Sequence, residues 1–76
     1  MKFKEIVKIL KSNKSRVERM IDLVKALKEK GFENGAIIYK PESAEDAVGL
    51  AWELWNDIIG DWDMITSDYE KIKASF

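Results

Sequence analysis

Phe3, Ile6, Val7 and Leu10 recur at helical spacing, which predicts a first amphipathic helix over residues 2–11. Ser15 stands three residues ahead of Glu18 and just before an apolar run, the pattern of a capping box. Val17, Met20, Ile21, Val24 and Leu27 then mark one face of a second helix that runs to about Lys30. Gly31 suits a left-handed closing residue, with Phe32 folding back onto Leu27. Ser43 is a suitable N-cap for a third helix, and Glu45 and Asp46 fall in its first turn, where the helix dipole favours acids. Ala44, Ala47, Val48, Ala51, Trp55, Ile58 and Ile59 share its apolar face, and Gly60 breaks or kinks it. Trp62, Ile65, Tyr69, Ile72 and Phe76 follow at spacings of 3, 4, 3 and 4 and predict a fourth helix, with Ser67 and Glu70 as a rival, later start.

Between the second and third helices the period changes. Asn34-Gly35 is a turn signal, and "AIIYK" is rich in β-branched residues. A strand here needs a partner, and "DWDMI" at Asp61–Ile65 is the segment that offers itself. The reading adopted is an extended connector that closes one end of the bundle. The expected fold is therefore all-α: residues 1–76 as one small antiparallel four-helix bundle. The alternative is α+β with a two-stranded ribbon.

Composition narrows the chemistry. The chain has no Cys and no His, which removes disulfides, thiolate metal sites, the commonest general base and the commonest metal ligand. Neither an enzyme nor a cofactor protein is expected. No apolar run approaches the ~20 residues of a membrane span, and Glu5 and Lys8 interrupt "MKFKEIVKIL" too early for a signal peptide. A monomer in the cytoplasm, without a membrane partner, is the expectation.

Charge is divided along the chain. Residues 1–31 hold ten Lys/Arg and four Asp/Glu, for +6, whereas residues 32–76 hold three and ten, for −7, which together give the net −1. Lys4, Lys8 and Lys11 form one row on the first helix. Lys14, Arg16 and Arg19 load the start of the second helix with the sign its dipole disfavours. These six residues form the candidate nucleic-acid site. A phosphate would neutralise the row and accept helix-start N–H groups, with Ser12, Asn13 and Ser15 as further donors. The competing explanation is internal: the row faces acids of the second half, such as Glu42 or Glu45.

Two other constellations lead elsewhere. Asp57, Asp61 and Asp63 cluster around Gly60, but without calcium-loop spacing, and they are read as a solvated helix end with no metal. Trp52, Trp55 and Trp62 fall on neighbouring rows and are read as core. Exposed, they would instead make the third helix a protein-docking surface, which is the second functional reading.

The style of "MKFKEIVKIL" and "KSNKSRVERM", the length, the four helical patterns and the basic first hairpin resemble the small four-helix accessory proteins encoded beside the recombination helicase of T4-like phages. Those proteins are similar in architecture to the nucleic-acid-binding module (HRDC) of RecQ-family helicases. The resemblance spans the chain without a diagnostic motif, and "AIIYKPES" and the acidic third helix lie outside it. It implies a non-catalytic role on single-stranded or branched DNA, with a helicase as a further partner.

Overall fold

The computed structural model describes residues 1–76. Helix α1 (Phe3–Leu10) buries Ile6 and Leu10, one helical turn apart. Lys4, Lys8 and Lys11 fall on the opposite side and are exposed. Helix α2 (Arg16–Lys30) starts at the expected cap: Ser15 Oγ accepts the Glu18 N–H at 3.2 Å and donates to Glu18 Oε1 at 2.9 Å. Its buried residues Met20, Leu23, Val24 and Leu27 make it the central element, packed against all three other helices.

The segment after α2 is a β-hairpin, so the extended-connector expectation gives way to the α+β alternative. Strand β1 (Phe32–Asn34) pairs antiparallel with β2 (Ile37–Tyr39), with Phe32 opposite Tyr39 and Asn34 opposite Ile37. The partner of "IIY" is thus the adjacent Phe32–Asn34, not Asp61–Ile65. Two glycines decide this. Gly31 has φ 73° and ψ 173°, a glycine conformation that turns the chain directly from helix to extended strand. Gly35 has φ 65°, while Ala36 keeps a negative φ, as a two-residue II′ loop requires. Phe32 opens β1, packs against the core and stacks on Tyr39 at 6.2 Å between ring centroids. Along the outer edge of β1, the Met1 nitrogen donates to the Gly31 carbonyl at 2.9 Å and the Glu33 N–H donates to the Met1 carbonyl at 2.8 Å.

Helix α3 (Ala44–Ile58) is capped as expected, with Ser43 Oγ accepting the Asp46 N–H at 3.1 Å. It buries Ala47, Val48, Ala51, Leu54 and Trp55. Ile59 does not join that face: it lies past the helix end and is 41% exposed. Leu54 replaces it, a residue the expected face omitted.

Helix α4 (Thr66–Ala74) begins late, although neither Ser67 nor any other side chain caps it. Ile72 is its buried residue, and Ile65 at its N-cap is 61% exposed, so the expected seam is broken there. Trp62 precedes α4 in a non-helical segment and is nevertheless buried. Two hydrogen bonds hold that segment to α3: the Trp52 indole N–H donates to the Trp62 carbonyl at 2.9 Å, and the Trp62 N–H donates to Asn56 Oδ1 at 3.2 Å.

Lys73 of α4 pairs with Glu45 of α3 at 3.0 Å. The hydrogen bond from Lys73 holds the Glu45 carboxyl below the usual carboxylate range, and the same bond raises Lys73. A lowered acid favours the folded state above its unfolded pKa, and that contribution disappears as pH falls through the folded pKa. The raised lysine contributes below its unfolded pKa and loses this as pH rises through its folded one. The pair therefore acts at neutral pH and fails first on the acid side. In an NMR pH titration, Lys73→Met should move the Glu45 midpoint upward; an unmoved midpoint would show that the pair does not persist in solution.

Candidate nucleic-acid interface

The six predicted basic residues divide into three groups. Lys4, Lys8 and Lys11 project from α1, and no carboxylate lies within 4.0 Å of their ammonium groups. Lys14, in the α1–α2 turn, is held by Asp22 of α2 at 2.7 Å, and that hydrogen bond raises its pKa. Arg16 and Arg19 turn toward the aromatics of the C-terminal half.

The Arg16 guanidinium sits 5.1 Å from the centre of the Trp62 ring, and that of Arg19 sits 4.9 Å from Trp55. Arg19 Nη1 also donates to the Leu10 carbonyl at 2.9 Å, satisfying an acceptor at the C-terminal end of α1. The two rings pack on each other, 5.0 Å apart and tilted by 52°. Two arginines one helical turn apart therefore lie on two mutually packed tryptophans. Unfavourable placement at the α2 start is offset by this cation–π contact, worth about 0.5–1 kcal/mol at exposed sites and more when desolvated.

Glu42 and Glu45, the acids expected to face the basic row, do not. Glu45 is taken by Lys73, and Glu42 is in no ion pair. Of the four ion pairs, Lys14–Asp22 and Lys30–Glu5 lie within the basic half, and Lys73–Glu45 lies within the acidic half. Only the Met1 nitrogen, 3.4 Å from Glu33, joins the two. No Lys or Arg of the first half is within 4.0 Å of a carboxylate side chain of the second, so close ion pairs between the halves do not offset the +6.

Neither expected serine donor is open to a phosphate. Ser15 caps α2, and the Ser12 hydroxyl is buried without a partner. Of the three, Asn13 is left exposed and unengaged. Trp55 and Trp62, at 2% and 5% exposure, are core groups unavailable as surface anchors. Asp57, Asp61 and Asp63 do not converge on a point where a cation could be held.

A second surface, which the sequence pattern did not single out as a site, lies between the hairpin and α3. Two adjoining cavities of about 320 and 330 Å³ share Tyr39 and Leu50 as walls. Asp46, Leu50, Glu53 and Asp57 line the α3 side at spacings of 4, 3 and 4, one row of the helix.

Comparison with protein-family models, with curated proteins and with solved structures returns no match for this chain.

Proposed function

We propose that the chain is a non-enzymatic nucleic-acid-binding accessory module acting in the cytoplasm on single-stranded or branched DNA, with a helicase or recombination complex as its setting. The observation that carries this reading is the row of Lys4, Lys8 and Lys11, free of internal carboxylates on a domain whose basic half is not cancelled by ion pairs. Arg16, exposed at the start of α2 with its guanidinium over the Trp62 ring, supplies a fourth cation. Lys14 is shared with Asp22. Arg19 is only partly exposed, and its guanidinium holds the α1 end to Trp55, so its role in this site is structural. Lysines on one helix face read phosphate position rather than base identity.

Fluorescence anisotropy with labelled oligonucleotides tests this. With about four phosphate contacts, log affinity should fall against log salt with a slope near −3.6 on duplex and about −2.8 on single strands. Lys8→Glu should weaken binding across sequences, while its effect on folding stays within about 0.5 kcal/mol. Arg16→Glu loses about 0.5–1 kcal/mol of contact with Trp62 but gains about 0.3–1 kcal/mol from the helix dipole, so its stability should scarcely change while binding falls. Absence of salt-sensitive binding to single-stranded, duplex and branched DNA at low ionic strength would reject the proposal.

A further inference from the structure

The groove between the hairpin and α3 combines two features that individually say little. Its floor is apolar: Tyr39 from β2, with Leu50 and Leu54 from α3, and Phe32 stacked behind Tyr39. Its rim is anionic: Glu42 and Asp46 border one cavity, and Glu53 and Asp57 border the other. None of these four carboxylates is in an ion pair, and Lys40 is the one cation that lines the groove. Solvated carboxylates along an apolar trough repel phosphate and attract cations that bring their own apolar surface.

We propose that this groove binds a basic amphipathic helix of a partner protein, whose apolar side chains enter the two cavities while its Lys or Arg residues meet the acidic rim. Two adjoining cavities along a helix suit anchors spaced by one turn of a docked helix. Charge complementarity selects a basic partner. A second copy of this chain is a poor occupant, because its basic helices bury Ile6 and Leu10 in α1 and Met20, Leu23, Val24 and Leu27 in α2, and Phe3 is the one large apolar side chain they expose. It offers lysines without a free apolar stripe. The groove is separate from the Lys4–Lys8–Lys11 row, so the domain could hold nucleic acid and a protein at once, and this inference stands whether or not the row binds phosphate.

The probe is a synthetic 14-residue amphipathic helical peptide of Leu and Lys, titrated into the isotopically labelled full chain at low salt. Backbone NMR shifts should move at Tyr39, Leu50 and Leu54. Glu53→Lys with Asp57→Lys should weaken binding by about tenfold or more, and the neutral pair Glu53→Gln with Asp57→Asn should weaken it less. The neutral pair keeps the test sound if the charge-reversed chain fails to fold. A companion peptide with Ser in place of Leu should bind at least about tenfold more weakly, since it keeps the charge but cannot fill the cavities. Equal binding of both peptides, shifts confined to other surfaces, or no binding at all would overturn the proposal. Concentration-dependent dimerisation of the chain alone, with shifts at these same residues, would overturn it in favour of self-association. Shifts there on adding an oligonucleotide would overturn it in favour of nucleic acid.

Discussion

Trp55→Ala should lower the stability of this domain by about 3–5 kcal/mol, the usual cost of truncating a buried Trp. The residue is 2% exposed at the inner face of α3 and joins three parts of the fold. Trp62 packs on its ring, and through Trp62 so does the segment between α3 and α4. The Arg19 guanidinium covers its face while donating to the end of α1. Removing the indole therefore leaves a cavity, frees Trp62 and strips a cation of its platform together. At about 0.05–0.15 kcal/mol per residue, a 76-residue chain has only some 4–11 kcal/mol to lose. Urea unfolding should show a much lower midpoint, and a double-mutant cycle with Arg19→Ala should show a coupling of about 0.5–2 kcal/mol. A variant that melts with the wild type would show that the tryptophan pair does not carry the core.

Gly31→Ala is the second large effect expected. The glycine has φ 73° and ψ 173°, a region that side-chain-bearing residues reach at a cost of about 1–3 kcal/mol. Space is short as well: an added Cβ would lie 3.1 Å from both Ile38 Cγ2 and the Tyr39 carbonyl oxygen. The neighbours belong to β2, so relief of the clash means moving the hairpin, and with it the Tyr39 wall of the groove. Gly35→Ala is the informative contrast, since its positive φ carries a conformational cost but its Cβ meets nothing within 4 Å. Gly31→Ala should thus be the more destabilising of the two in thermal unfolding and should shift NMR signals across β2. Equal effects would mean that backbone conformation alone matters and the close approach does not.

The caps at Ser15 and Ser43 and most of the core faces of α1 and α2 were legible because each depends on residues within one or two helical turns; Phe3, expected in the α1 face, is 52% exposed, and the buried Leu23 lay outside the expected α2 face. The candidate basic residues were legible as a charge imbalance, but their division into free, paired and stacked groups was not. Sequence spacing places Lys4, Lys8 and Lys11 on one face; it contains nothing that puts Arg16 over Trp62, 46 positions away.

The hairpin stood only as the alternative, with Asp61–Ile65 as the partner strand, for a related reason. Phe32–Asn34 is too short to declare itself a strand, and its extended conformation is set by pairing with Ile37–Tyr39 and by the Gly31 backbone. Trp62 and Ile65 show the same limit: both fitted a helical repeat, yet the chain is non-helical there, with one buried and the other exposed. By itself the sequence determined four helices, most of their buried faces and an uneven distribution of charge, because helical hydrogen bonding and amphipathic period are local. Tertiary structure alone decided which cations stand clear of carboxylates, which lie on tryptophan, and that an acidic-rimmed groove opens beside the hairpin. Each of these depends on contacts between side chains far apart in the chain, whose geometry is fixed only when the helices pack.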